Sequence, residues 1–341
     1  MPEALLSREA AEAAEVAARQ IALNGNATAQ LGERLRRRKP AFIATCARGS
    51  SDHAMTYGKY LLERTLGLPV ASLGPSLASV YREELDLSDA VFIAASQSGR
   101  SPDALQLTET AKRGGALTVG LINDMESPLA ALVDVALPLA AGPETSVAAT
   151  KSFLATGIAL LHLAAAWSCE RGLADTLVRS PELLRQAGLC DWSPYLLRLK
   201  EATSLYVIGR GLGLGIAQEM ALKFKETCRI HAEAFSAAEV LHGPLALVGP
   251  GFPALVLDPA DEGGESTLSV AQNFAALGAE VAYAGSGAAP GIALPVPAES
   301  PAVLMPLLQA RAFYGGIATL AAARGLDPDH PPHLRKVTQT L

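Results

Sequence analysis

The stretch VFIAASQSGRSPDA, residues 91–104, passes from an apolar run directly into side chains that could grip an anion: Ser96, Gln97, Ser98 and, beyond Gly99, Ser101. A second stretch, AFIATCARGSSDHA at 41–54, likewise runs from apolar residues into Ser50 and Ser51. Serine hydroxyls and backbone N–H groups at the start of a helix make an anion site. The sequence has no lysine-bearing GxxxxGK[ST] loop, so a nucleoside triphosphate with magnesium is not indicated. Hydroxyls without that lysine suit a single phosphate on a small molecule. Ser101 by itself also fits a helix N-cap, with Pro102 at the first helical position. Capping leaves Ser96, Gln97 and Ser98 unexplained, so phosphate binding is the preferred reading.

Further on, Glu219, Lys223 and Glu226 fall at i, i+4 and i+7, on one face of a helix. A solvated ion pair between Glu219 and Lys223 would explain that spacing. The chain then continues TCRIHAEAFSAAEVLHGPLALV, where His231, Glu233, Glu239 and His242 stand among Ala, Val and Leu. Gly243-Pro244 would fix the His242 imidazole at a turn. A carboxylate with a nearby histidine can move protons on a sugar: one group opens the ring, the other takes a proton α to a carbonyl. On the residues alone, proton transfer and structural ion pairing both stay open. The glycines of GRGLGLG (209–215) lack the last glycine and the acidic partner of a dinucleotide fingerprint, and that reading is set aside.

These loops need elements to place them. Residues 3–38 read as an alanine-rich helix with a break near Asn24-Gly25-Asn26. Strands follow at 41–46, in PVASLG, at 90–95, in GALTVGLIND and in DVALPLAA, separated by helices to about Gly67 and at 102–114. A long apolar helix runs from about Ala148 to Arg171. After a helical linker the pattern repeats with SLYVIGRGLGLGIAQEMALKFKE, PALVLDP and AEVAYAG. Apolar strands alternating with helices mean an α/β fold with parallel, doubly wound sheets. We read two such domains, divided near residues 172–195. In such sheets ligands sit at the carboxyl ends of the strands, where both serine loops fall.

Bulk composition agrees. A chain of 341 residues, half hydrophobic and 18% charged, has the length of two globular domains with substantial cores. A formal charge of -6 lacks the basic footprint of a nucleic-acid binder. The one basic run, Arg34 to Lys39, reads as the solvated C-terminal end of a helix. Cys46, Cys169, Cys190 and Cys228 are scattered without CxxC pairing, so reduced thiols in a cytoplasmic protein are expected. No signal peptide is read at the start, and the apolar helix at 153–167 is too short to span a bilayer. No membrane association is expected.

SQSGRSPDA, SVAATKSF, ALKFKETCRIHAEAF and LHGPLAL, in that order, resemble the isomerase half of glutamine:fructose-6-phosphate amidotransferase, which consists of two sugar isomerase (SIS) domains. The resemblance runs from about residue 30 to the tail. A still closer likeness is to the SIS-type glucosamine-6-phosphate deaminases, with ARGSSDHA at 47–54 carrying Arg48 where the synthase has cysteine. It implies a helical segment at 1–38, a sugar-phosphate-binding SIS domain at 39–172, a second at 195–325, and a tail at 326–341 that closes the active site.

The resemblance also implies roles. Ser51, Ser96, Gln97, Ser98 and Ser101 hold the phosphate, with Ser50 close by. Arg48, Val147 and Ala149 lie at the sugar, Ala149 replacing a serine of the synthase. Glu226 is the base that shuttles a proton between C1 and C2, and Lys223 lines the site from the same helix. His242 opens the ring and is supplied by the neighbouring subunit of a homodimer. Lys336 can form a Schiff base with the open-chain ketose. With Pro2 at the second position and the isomerase core following almost at once, no glutaminase segment is read. The expected reaction is therefore glucosamine 6-phosphate plus water to fructose 6-phosphate plus ammonia. No metal or organic cofactor is expected, because aldehyde and imine supply the electron sink. Galactosamine 6-phosphate, a glycated amino acid 6-phosphate, plain aldose–ketose isomerisation and a non-catalytic sugar-phosphate sensor are the alternatives.

Overall fold

Seven consecutive residues, Ala90–Ser96, form a strand whose first six are fully buried, and Leu117–Ile122 is buried throughout. A strand covered on both faces has no polar side to show, which is why these runs are continuously apolar. The computed structural model describes residues 4–285 and 287–336. The readings for residues 1–3 and for the end of the tail, 337–341, lie outside the described residues.

In chain order the elements are α1 (Leu5–Ala11), α2 (Ala13–Arg38), β1 (Phe42–Cys46), α3 (Ser50–Leu66), β2 (Val70–Ser72), α4 (Ser76–Ser79), β3 (Ala90–Ser96), α5 (Pro102–Arg113), β4 (Leu117–Ile122), α6 (Pro128–Leu132), β5 (Val135–Pro138), α7 (Lys151–Ser168) and α8 (Arg171–Ala187). Then come α9 (Ser193–Leu196), β6 (Ser204–Gly209), α10 (Gly213–Cys228), β7 (His231–Ser236), β8 (Pro253–Leu257), α11 (Gly264–Ala276), β9 (Glu280–Ala284), β10 (Ile292–Leu294) and α12 (Met305–Ala323). The strands make two five-stranded sheets, β2-β1-β3-β4-β5 and β10-β9-β8-β6-β7. Every pairing is parallel. Each sheet is flanked by helices in a three-layer α/β/α arrangement, the expected fold class.

The chain divides into two compact units that are not contiguous in sequence. The first-sheet unit takes Glu15–Glu144, Lys151–Arg179 and the tail from Arg335. The second-sheet unit takes the chain up to Ala14, Thr145–Thr150 and Ser180–Leu334. Phe92, Ala94, Leu107 and Ile122 centre one core of the first. Ile208, Val256, Phe274 and Tyr283 centre one core of the second.

Three expectations need correction. The break at Asn24-Gly25-Asn26 is absent: α2 is continuous, and the helix is interrupted at Glu12 instead. The buried Asn24 amide donates to the Pro138 carbonyl at 2.8 Å. Such packing outweighs the roughly 1 kcal/mol helix penalty of a glycine. The apolar helix begins at Lys151, because residues 145–150 are a bent, non-helical segment that belongs to the other unit. The basic run is not simply solvated. Arg36 donates to the Ala166 and Trp167 carbonyls at the end of α7, and Arg38 to the carbonyls of Ser88 and Gly115. These cations cap chain ends that would otherwise lack partners. Among the described residues no helix is long and apolar enough to cross a membrane, and all four cysteines are free.

Candidate active site

The order of the first sheet reverses between β1 and β3, so the loops after these strands bound a crevice at their carboxyl ends. Ser50 and Ser51 open α3 there, and Ser96, Gln97, Ser98 and Ser101 lead into α5; all six are partly exposed. The turn is set by Gly99, at φ +62°. The Gly99 N–H donates to Ser96 Oγ at 2.8 Å, and the Arg100 N–H to Ser98 Oγ at 3.3 Å. A Cβ on Gly99 would fall 2.1 Å from Ser127 Oγ. Ser101 sits at the N-cap position, yet its side chain makes no capping bond. Neither Gly49 nor Ser101 caps its helix with a side chain. The Asp52 N–H goes to the Gly49 carbonyl and the Ala104 N–H to Asp103 Oδ1 at 2.8 Å, and the positive ends of both helix dipoles face the crevice.

Arg48 follows β1 and reaches Asp103 in the first turn of α5. Its Nε donates to Asp103 Oδ2 at 2.8 Å and a terminal nitrogen reaches the same oxygen. Asp103 is buried while Arg48 stays half exposed. Cys46, at the end of β1, has its thiol pushed up to about 12 by burial, with Asp103 adding to the shift. The first-sheet unit also holds Lys336. Its Nζ donates to Glu144 Oε2 at 2.9 Å. The buried Glu144 further accepts the Ser152 N–H at 3.0 Å and the Ser152 hydroxyl at 2.6 Å.

The second-sheet unit holds the other expected residues. On α10, Lys223 and Glu219 are completely buried, and the Glu226 side chain is 18% exposed. Lys223 Nζ donates to Glu226 Oε2 and lies 3.4 Å from Glu219 Oε1. Glu219 in turn accepts the Tyr314 hydroxyl of α12 at 2.8 Å. The solvated ion pair is thus excluded: this is an interior chain of tyrosine, carboxylate, ammonium and carboxylate. Burial pulls the Lys223 ammonium down, but Glu219 and Glu226 together outweigh it, and the net shift is upward. Glu226 also faces outward, onto a cleft of about 290 Å³ shared with Thr227, Arg229, Asp327 and His330. A carboxylate held by an ammonium on one side and open on the other can accept a proton from a small molecule.

His242 is elsewhere. It follows β7, in an exposed turn before Gly243, whose φ is +138°. Glu226 is in the last turn of α10, which runs back from the carboxyl end of β6. The two therefore lie toward opposite ends of β7, Glu226 before it and His242 after it, roughly a strand length or 20 Å apart. Val147 and Ala149 are the half-buried positions of Thr145–Thr150, alternating with buried Ser146, Ala148 and Thr150. Sequence reading passed over Tyr314, Glu144 and Asp103. The carboxyl in SPDA at the start of α5 was the one available signal.

A family model described as SIS domain matches residues 37–166 and 198–284. A glutamine–fructose-6-phosphate aminotransferase (isomerizing) of Aeropyrum pernix is 37% identical over 312 residues, 84% of this chain and 49% of its own length. The chain thus spans about half the length of the curated relatives it matches. A candidate phosphosugar isomerase from Silicibacter pomeroyi superposes with a TM-score of 0.92 at 42% identity, over 96% of this chain and 100% of that one. The C-terminal domain of glucosamine-fructose-6-phosphate aminotransferase from Francisella tularensis gives 0.84 at 25% identity, over 96% and 98%.

Proposed function

Since this chain belongs to the SIS-domain family and is homologous to the isomerase half of glutamine–fructose-6-phosphate aminotransferase, we propose that it isomerises and deaminates an amino sugar phosphate, converting glucosamine 6-phosphate and water to fructose 6-phosphate and ammonia. The observation that carries this reading is the Glu226 carboxylate, tied to fully buried Lys223 yet open to a cleft. That direction needs only isomerase chemistry and water.

In this reading Ser51, Ser96, Gln97, Ser98 and Ser101, with Ser50, take the phosphate at the N-termini of α3 and α5. Arg48, braced by Asp103, serves the sugar, as do Val147 and Ala149. His242 assists ring opening. Its place at the end of β7 away from Glu226 favours delivery from a second copy of the chain. Glu226 takes the C2 proton of the open aldehyde, leaving an enolamine. Protonation at C1 gives the ketimine. Water then adds at C2 and ammonia leaves, or Lys336 exchanges for ammonia first and water releases the ketose. Lys223 steadies the position of Glu226 through their hydrogen bond.

The test is ammonia and fructose 6-phosphate release from glucosamine 6-phosphate, with galactosamine 6-phosphate alongside and glutamine absent. Ammonia from the glucosamine ester supports the reading and fixes the epimer. Interconversion of hexose 6-phosphates without ammonia would replace it with simple isomerisation. Binding without any turnover would leave a sensor.

A further inference from the structure

The segment Thr145–Thr150 is held by two residues from far away in sequence, the Glu9 carboxylate directly and Asp329 through its backbone carbonyl, while the Asp329 carboxylate ties down α1. Glu9, on α1 and 5% exposed, accepts the Thr145 N–H, the Thr145 hydroxyl at 3.1 Å and the Ser146 N–H at 3.3 Å. Asp329, 8% exposed, accepts the N–H groups of Leu5 and Leu6 at 2.7 and 2.8 Å. Its own carbonyl accepts the Val147 N–H at 3.2 Å. Ala4, at the N-cap of α1, has no side chain for capping, and Asp329 does that work. The circuit closes: α1 grips 145 and 146 through Glu9, Asp329 grips 147, and Asp329 grips α1.

A buried carboxylate is costly unless hydrogen-bonded. Here both are hydrogen-bonded mainly to backbone N–H groups, whose positions they therefore fix. Over 146–150 buried and half-buried residues alternate, so a shift of one residue would exchange the buried places of Ser146 and Ala148 with the half-buried ones of Val147 and Ala149. We propose that Glu9 and Asp329 are positioning residues that set the register of Thr145–Thr150 and thereby determine which sugar hydroxyls the site accepts. The proposal rests on the preceding reading that Val147 and Ala149 line the sugar. It assigns to α1 a part in recognition, and none in proton transfer or phosphate binding.

The experiment uses the full chain with Glu9→Gln, which keeps the shape but turns an amide toward donors. Dissociation constants for fructose 6-phosphate and for inorganic phosphate are read from thermal shifts, and KM for both amino sugar epimers from ammonia release. Expected is a loss of about tenfold or more in fructose 6-phosphate affinity, with phosphate affinity unchanged. The preference between epimers should shrink, and the pH profile of kcat should stay in place. A folded variant with wild-type affinity for both ligands, or an equal loss for both, overturns the proposal. If Glu9→Gln does not fold, Thr145→Val removes only the hydroxyl bond and should weaken the sugar ester alone by roughly twofold to tenfold; no selective loss overturns it equally. Wild-type protein releasing no ammonia, with the selective binding loss intact, would sink the deaminase reading and leave this inference standing. Ammonia release with an indifferent Glu9→Gln would do the reverse.

Discussion

The first sheet and the second reverse their strand order in the same way, yet their crevices differ. Between β1 and β3 the loops offer serines, an amide and two uncapped helix starts. Between β6 and β8 they offer Arg210 and the acidic run Asp258, Asp261, Glu262 and Glu265. Those groups serve local turns: Asp258 accepts the Ala260 N–H and Asp261 the Gly263 N–H, both at 2.8 Å, while Arg210 donates to Ser236. The second-sheet unit carries its ionisable cluster along α10 from Glu219 to Glu226, toward the amino ends of the strands. A repeated fold therefore need not repeat its site. On the proposed reading, a strand-end crevice takes phosphate where its loops offer hydroxyls, and not where neighbouring carboxylates would repel it.

That contrast can be broken or sharpened by substitution. Glu226→Gln should lower kcat by about a hundredfold to ten-thousandfold while fructose 6-phosphate still binds; full turnover would remove Glu226 as the base. Lys223→Met leaves two carboxylates without their buried partner and should cost about 3–5 kcal/mol in urea melts at pH 7. Because the Lys223 shift is upward, its stabilisation is complete below the ordinary lysine value of about 10.4 and fades only at higher pH. Wild-type and variant melts should therefore converge in strongly alkaline solution, not in acid. Gly99→Ala meets a positive φ and a clash with Ser127. It should raise KM for the phosphate ester roughly tenfold, matching about 1–2 kcal/mol of left-handed strain; an unchanged KM would mean the 96–101 turn does not hold the ligand. Arg210→Ala, in the second crevice, should leave KM within about twofold. A large rise there would show that both sheets take part in anion binding.

Much of the first crevice was legible in the sequence, because a buried parallel strand is an unbroken apolar run and its end is marked by the first hydroxyls. The Glu219, Lys223, Glu226 spacing was legible too, but not its burial: an interior ion chain and a solvated one share the same period. β7 escaped notice because it is an edge strand, with His231 and Glu233 turned out to solvent between apolar neighbours. Glu9, Glu144 and Asp329 could not be found. Each acts on groups distant in sequence or on backbone N–H groups, which leave no residue pattern behind.

The cap on α1 also sets an order of events during synthesis. Leu5 and Asp329 are 324 residues apart. At about 5–20 residues per second, α1 waits some tens of seconds after translation before its first turn meets the carboxylate that holds it. A helix of seven residues is too short to persist alone in that interval. A segment made more than three hundred residues before Asp329 is thus secured only after it, and the segment at 145–150 takes its final register only once residue 329 has emerged.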